Sequence, residues 1–243
     1  MSKREAFINY NSGKLWSCSS GFDNAPAILL CNGGPGCCDY LNPVAEMLDD
    51  KYRVIRFEQR GCGRSTADGQ YDLFTAVEDI ERVRIHWGIE RWVVGGHSWG
   101  ANLAFVYAMT YPERVQALLY IAGNGVQNDR HWSEEYHRNR DEHSEPQFEM
   151  KYPFNDDVNA EGNRTLRELG RTPDFYLRVS KMNVSALFVM AENDMRPNWP
   201  AMQLANLMPN AQYVIIKGVS HNLWLDNTES LREVLSEYLE DIS

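Results

Sequence analysis

Residues 92–106 read WVVGGHSWGANLAFV: an apolar run, the pattern G-x-S-x-G around Ser98, and a segment typical of a helix. The pattern requires a sharp turn from a strand into a helix, which pushes the serine side chain above the sheet. Gly96 and Gly100 relieve crowding at this turn because neither has a Cβ atom. A helix that begins there directs backbone N–H groups toward developing negative charge. We therefore predict that Ser98 is a nucleophile held between a strand and a helix.

Segments typical of strands and helices alternate along most of the chain. Residues 6–10 and 14–19, joined by Asn11-Ser12-Gly13, are typical of a hairpin. The further predicted strands are 27–32, 52–58, 92–95, 117–122, 186–191 and 212–216, and the predicted helices are 41–48, 75–87, 99–109, 200–207 and 230–238. This alternation predicts an α/β fold in which a mostly parallel central sheet carries helices on both faces.

One long segment interrupts the alternation. From about Asn124 to Lys181 the sequence has no strand pattern and is rich in charged and aromatic residues. We interpret it as a small helical cap over the strand ends, where it shapes a pocket. The predicted organisation is a first part of the core at 1–123, a cap at 124–181 and a second part of the core at 182–243.

A serine hydroxyl becomes a good nucleophile when a neutral imidazole accepts its proton. In enzymes built on this kind of turn, the nucleophile is followed along the chain by an acid and then by a histidine. His221 comes late and follows a predicted strand, whereas the side chain of His97 is expected to point away from the pocket. Two candidates for the acid, Glu192 and Asp194, follow the predicted strand 186–191. Asp194 is favoured because it lies deeper in the loop, where it would orient the imidazole.

The segment NGGPG at 32–36 follows another predicted strand. Glycines at such a position allow a backbone N–H group to approach a substrate oxygen. We predict that the oxyanion hole is formed by the backbone N–H groups of Gly34 and of Trp99, the residue after the nucleophile. No cofactor is implied by this chemistry.

Three motifs, in the same order, resemble the proline iminopeptidase (prolyl aminopeptidase) branch of the α/β-hydrolases. That branch carries the loop His-Gly-Gly-Pro-Gly, the segment Asp-Gln-Arg-Gly-x-Gly-x-Ser and the elbow Gly-Gly-x-Ser-Trp-Gly. The matching segments are NGGPG at 32–36, EQRGCGRS at 58–65 and GGHSWG at 95–100, and residues 107–115 continue the match. The resemblance implies an α/β-hydrolase fold and a serine hydrolase that releases N-terminal residues from small peptides or amides through an acyl-enzyme.

The chain departs from this branch in two motifs and in the length of its cap. Asn32 stands where the branch has histidine, and Glu58 stands where it has aspartate. Because the cap is shorter than in those peptidases, none of their amine-binding residues carries over. The sequence offers Glu134, Glu135 and Glu145 as candidate anchors for a substrate amine.

Two other functions stay open: a carboxylic ester hydrolase on small substrates, and a ligand-sensing protein with slow turnover. Continued turnover of an ester would distinguish an enzyme from a sensor.

Composition limits the partners. The net charge of −10 argues against nucleic acid and against anionic membrane surfaces, since both require clustered Lys and Arg. Five cysteines without metal-ligand spacing favour free thiols, and the spacing of the cap histidines does not suggest a metal site. We expect a cytoplasmic protein without signal peptide or membrane span that acts on a small molecule or short peptide. The sequence does not indicate an oligomeric state.

Overall fold

A twisted sheet forms the centre of the computed structural model, which describes residues 3–126 and 130–242. Its strands are β1 (Arg4–Tyr10), β2 (Gly13–Ser20), β3 (Ala27–Cys31), β4 (Arg53–Phe57), β5 (Trp92–His97), β6 (Val115–Ile121), β7 (Ser185–Ala191) and β8 (Ala211–Ile216). The strand order is β1-β2-β4-β3-β5-β6-β7-β8. The pairs β1–β2 and β2–β4 are antiparallel, and the remaining pairs are parallel.

Helices follow most of the parallel strands. They are α1 (Asn42–Glu46), α2 (Leu73–His86), α3 (Trp99–Thr110), α4 (Arg130–Glu142), α5 (Asp156–Gly170), α6 (Phe175–Ser180), α7 (Trp199–Leu207), α8 (Leu223–Asp226) and α9 (Thr228–Asp241). A 3-10 turn at Pro112–Arg114 leads into β6. Within residues 3–126 and 130–242, none of the helices has the length and apolar character needed to cross a bilayer.

Two apolar clusters, one on each face of the sheet, form the core. On one face, α2, α3 and α5 contribute residues such as Val77, Leu103 and Leu166. On the other face, α1 and α9 contribute residues such as Val44 and Leu235. The central strands are buried on both faces, which explains why they read as continuous apolar runs rather than alternating ones.

The predicted fold class is confirmed, and the predicted strands and helices are present with shifted ends. The helix predicted from Thr75 begins at Leu73, because the side chain of Asp72 accepts hydrogen bonds from the N–H groups of Phe74 and Thr75. The four-residue helix α8 has no counterpart in the sequence prediction. Such a short segment contains too few residues to show helical periodicity.

Helices α4, α5 and α6 lie between β6 and β7, in the segment predicted to form the cap. The described residues of this segment contain no strand. The boundaries of the cap at 124 and 181, and the division of the core around it, stay predictions.

Gly100 fills a position where a larger residue does not fit. A Cβ atom there would lie 2.1 Å from the carbonyl oxygen of Cys31, which belongs to the neighbouring strand β3. We expect Gly100→Ala to lower the free energy of unfolding by on the order of 3 kcal/mol, because backbone must move to relieve the clash. Urea unfolding measures this, and Gly162→Ala, whose Cβ would lie 3.0 Å from side-chain atoms of Pro35 and Trp99, is the milder control. Equal stability of the two variants would contradict the argument.

Candidate active site

Ser98 occupies a strained turn between β5 and α3. Its backbone has φ 59° and ψ −127°, a conformation that L-residues rarely adopt. The turn is held by two backbone hydrogen bonds: the Ser98 N–H donates to the Ile121 carbonyl at 2.9 Å, and the Ala101 N–H donates to the Ser98 carbonyl at 3.0 Å. The Ser98 side chain stays partly exposed, as expected for a nucleophile at such an elbow.

The glycine loop after β3 lies directly against this serine. A Cβ atom on Gly33 would be 2.7 Å from the Ser98 Cβ, so only glycine permits the approach. The Gly33 N–H donates to the Tyr40 hydroxyl at 2.8 Å and is therefore occupied. The N–H of Gly34, whose φ is +94°, is the next along the loop. Trp99 begins α3, and the first N–H groups of a helix have no acceptor within the helix.

The start of α5 contacts the same loop. The Asn159 side chain, in the first turns of α5, donates to the carbonyls of Gly34 and Pro35, the latter at 3.0 Å. The Asn155 N–H donates to the Gly36 carbonyl at 3.1 Å. These bonds hold the backbone of the loop, and with it the orientation of the Gly34 peptide. Sequence reasoning missed Asn159, because no motif connects it with the glycine loop.

His221 and Asp194 form a buried pair. Nδ1 of His221 lies 2.6 Å from Oδ2 of Asp194, and the two residues are each 5% exposed. Because a carboxylate only accepts, Nδ1 carries the proton, and Nε2 is the nitrogen that can take up another. Glu192, the alternative acid, lies elsewhere and accepts from the Gly218 N–H at 2.9 Å.

Arg196 shapes the electrostatics of this pair. Its Nη1 lies 3.0 Å from Oδ1 of Asp194, and its backbone N–H donates to the same oxygen at 2.9 Å. Burial alone would raise the pKa of Asp194, but the neighbouring His221 and Arg196 outweigh burial and lower it to about 2. Asp194 is therefore charged throughout the neutral range. In the sequence, the order Asp194-Met195-Arg196 is the one signal that Arg196 lies close to the acid.

The three candidate amine anchors all have partners in the cap or core. Glu134 accepts from Arg130 at 2.7 Å, and Glu135 accepts from the Trp199 indole at 3.1 Å. Glu145 accepts from Arg196 at 2.9 Å, and its side chain is 6% exposed. Of the three, Glu145 alone shares its partner with Asp194.

The two departures from the proline iminopeptidase motifs serve backbone contacts. Asn32 donates to the Phe57 carbonyl at 2.9 Å and accepts from the Tyr40 N–H at 3.2 Å. Glu58, fully buried, accepts from the Asp39 N–H at 3.0 Å and binds the Arg64 side chain. Both residues thus tie loops at the ends of β3 and β4 together.

Comparisons with known proteins identify the fold. A family model described as the alpha/beta hydrolase fold matches residues 26–142. The structure superimposes on a proline iminopeptidase from Mycobacterium smegmatis with a TM-score of 0.78 at 19% identity, covering 98% of both chains. It also superimposes on the naproxen esterase of Bacillus subtilis, with a TM-score of 0.73 at 14% identity over 98% and 92% of the two chains. The chain has the α/β-hydrolase fold.

Sequence similarity to curated relatives covers about half of the chain. A proline iminopeptidase from Xylella fastidiosa (strain 9a5c) is 37% identical over 128 residues, which are 51% of this chain and 39% of that protein. A proline iminopeptidase from Neisseria gonorrhoeae is 40% identical over 113 residues, or 43% and 34% of the two chains. The predicted resemblance to the proline iminopeptidase branch is thereby confirmed, while the match spans less than two fifths of these relatives.

Proposed function

We propose that this α/β-hydrolase is a serine hydrolase that works through an acyl-enzyme, with Ser98 as nucleophile, His221 as base and Asp194 as the orienting acid. The observation that carries the proposal is the 2.6 Å contact between His221 Nδ1 and Asp194. This contact leaves Nε2 free to accept a proton, in a protein that also holds a serine in a strained strand-to-helix turn.

The reaction follows from these positions. Ser98 Oγ attacks the carbonyl carbon of the substrate while His221 Nε2 takes the hydroxyl proton, and the carbonyl oxygen becomes negatively charged. The N–H groups of Gly34 and Trp99 stabilise that charge. His221 then returns the proton to the leaving group, and the acyl-enzyme remains. Water, activated by the same imidazole, releases the acid and restores the serine.

The first candidate substrate is a small peptide or amide with a free N-terminal residue, proline in particular. It is supported by the similarity to proline iminopeptidases and by a carboxylate beside the triad. Glu145 shares Arg196 with Asp194, and only its Oε1 is used in that contact. The other carboxylate oxygen keeps lone pairs that can accept from a substrate ammonium group. We therefore propose Glu145, rather than Glu134 or Glu135, as the amine anchor.

The second candidate is a small carboxylic ester. It is favoured by the pairing of Glu134, Glu135 and Glu145 with protein donors, because a carboxylate that already accepts from a protein donor attracts an incoming ammonium group more weakly. An ester carries no charge that must be matched in the site, and desolvating an unmatched amine is costly.

Acetylation of the substrate amine distinguishes the two candidates. If Glu145 anchors the amine, proline β-naphthylamide should be cleaved with a kcat/KM roughly tenfold to a hundredfold above that of its N-acetylated form, as expected for a hydrogen bond between charged groups. Glu145→Gln should remove most of that ratio. The exposed Glu142 lies on the same cap, and Glu142→Gln should leave the ratio unchanged.

Equal rates on the free and acetylated amides, or faster cleavage of p-nitrophenyl acetate than of either, would decide for the esterase. A single stoichiometric burst of p-nitrophenol without further turnover would instead indicate a ligand sensor. The ratio of kcat/KM for the free and the acetylated amide separates the loss of an anchor from a general disturbance of Arg196. Both substrates depend equally on the triad, so a disturbed triad lowers both values and leaves their ratio unchanged.

We also propose that the protein acts in the cytoplasm on small substrates rather than on nucleic acid. All five cysteines are free thiols, and four of them are buried, which suits a reducing compartment. The acidic net charge of −10 argues against binding to polyphosphates.

A further inference from the structure

His97 lies beside the triad without belonging to it. It is the last residue of β5 and directly precedes Ser98. Its Nε2 lies 2.9 Å from the backbone carbonyl oxygen of His221, and its Nδ1 lies 2.8 Å from the hydroxyl of Tyr40. The same hydroxyl accepts from the Gly33 N–H at 2.8 Å. A continuous series of hydrogen bonds therefore runs from the glycine loop through Tyr40 and His97 to the loop that carries His221.

The chemistry of the partners assigns every proton in this series. A carbonyl oxygen can only accept, so His97 Nε2 carries a hydrogen and donates it to His221. In the neutral imidazole, Nδ1 is then an acceptor and receives the Tyr40 hydroxyl proton. The Tyr40 oxygen in turn accepts from Gly33. A charged His97 would place a second N–H group against the Tyr40 hydroxyl and reverse this arrangement, so the neutral form alone completes the series as assigned.

The surroundings of His97 favour the neutral form. The side chain is 2% exposed, and the Trp224 ring packs edge-on against it at 4.8 Å between centroids. The titratable groups that face it are Tyr40 and His221, with Asp194 and Arg196 beyond His221. Burial, followed by the neighbouring His221 imidazole, lowers the pKa of His97 well below its usual value. Burial raises the pKa of Tyr40, so its hydroxyl stays protonated and donates a hydrogen bond to Nδ1 of His97.

We propose that His97 is a positioning residue that ties the loop of the base to the loop of the oxyanion hole. Both of its ring nitrogens are occupied by hydrogen bonds to Tyr40 and to the His221 carbonyl, so it acts through these neighbours rather than by transferring a proton. His97 lies at the end of β5, the strand that leads into Ser98. Through its two hydrogen bonds, this strand holds the glycine loop on one side of Ser98 and the loop of His221 on the other. This inference rests on the proposed function, because positioning has a catalytic consequence only if Ser98 and His221 react. Displacing either loop by a fraction of an ångström would misalign the proton acceptor or the oxyanion donors.

Three substitutions test the proposal on p-nitrophenyl acetate. His97→Leu removes both hydrogen bonds and should lower kcat roughly tenfold to a hundredfold, with KM changed by less than about threefold. Tyr40→Phe removes only the hydroxyl and should lower kcat by about tenfold. His97→Gln offers one amide N–H donor and one carbonyl acceptor, and should restore most of the rate lost in His97→Leu. The double variant His97→Leu/Tyr40→Phe should be no slower than His97→Leu alone, because both changes break one series.

A measurement that does not depend on activity accompanies the kinetics. In ¹⁵N-histidine-labelled protein, His97 should show a protonated Nε2 and an unprotonated Nδ1 from pH 8 down to 5.5. A protonated Nδ1, or a charged ring anywhere in this pH range, would overturn the assignment. If His97→Leu does not fold, Tyr40→Phe and His97→Gln still decide through their rates.

The outcomes separate this inference from the proposed function. Wild-type kcat in His97→Leu or in Tyr40→Phe, an equal loss in His97→Leu and His97→Gln, or multiplying losses in the double variant would overturn the inference alone. Absence of ester hydrolysis and of fluorophosphonate labelling in the unaltered protein would overturn the proposed function and this inference with it.

Discussion

Replacing Ser98 by alanine should abolish both turnover and covalent labelling by a fluorophosphonate. The loss of kcat should reach about 10³-fold or more, because the members of a triad act as a unit and little catalysis survives without the nucleophile. The fold should persist, since alanine adopts the strained φ of 59° no less readily than serine does and leaves the backbone hydrogen bonds of the turn in place.

The control for this variant is Ser133→Ala, which changes an exposed serine of the cap helix α4. It should keep wild-type labelling and turnover. Thermal unfolding of all three proteins verifies that the comparison is made between folded species. Persistent labelling of Ser98→Ala would move the nucleophile elsewhere and remove the basis of the proposed mechanism.

Replacing Asp194 by asparagine should cost about 10³-fold to 10⁴-fold in kcat. Asparagine retains the size of the side chain but offers His221 an N–H group or a neutral oxygen, so the imidazole no longer keeps its Nδ1 proton toward the acid. Glu192→Gln is the matched control, because Glu192 lies in the same loop and contacts the Gly218 N–H rather than His221. Its kcat should stay within about threefold of wild type. The reverse ranking would transfer the role of acid to Glu192.

The depressed pKa of Asp194 also predicts how stability depends on pH. The pKa of the carboxyl group falls from 3.8 in the unfolded chain to about 2 in the folded protein. The stabilisation that this difference provides is fully present above pH 3.8 and is lost as the pH falls toward 2. Unfolding by urea between pH 5 and pH 2.5 should therefore show a smaller loss of stability in Asp194→Asn than in wild type.

Local sequence patterns predicted those parts of the candidate site whose residues are neighbours in the sequence. The strand, Ser98 and helix α3 form one continuous segment, and the glycines around the serine are required by contacts within about four residues or with the adjacent strand. The order of the proposed nucleophile, acid and base along the chain likewise comes from the sequence, because each of these residues follows a recognisable apolar strand. For the same reason the alternation of strands and helices predicted the fold class.

The contacts that complete the site join residues far apart in the sequence. Tyr40 reaches His97 because β3 lies next to β5 in the sheet, an order that the chain itself does not display. His97 was expected to point away from the pocket; its ring nitrogens are occupied by Tyr40 and by the His221 carbonyl, a contact across 124 residues. A pattern search within one segment contains no information about either partner.

The sequence by itself determined that this protein carries a serine elbow, a glycine loop and a late histidine on an α/β fold, because backbone geometry near each motif restricts which residues fit. The tertiary structure decided which acid meets the histidine, since Glu192 and Asp194 differ by two positions and the direction of the loop separates them. It also decided that Glu145 is paired with Arg196. Charge pairing depends on which surfaces the folded chain brings within hydrogen-bond distance, and the sequence of the cap leaves that choice open.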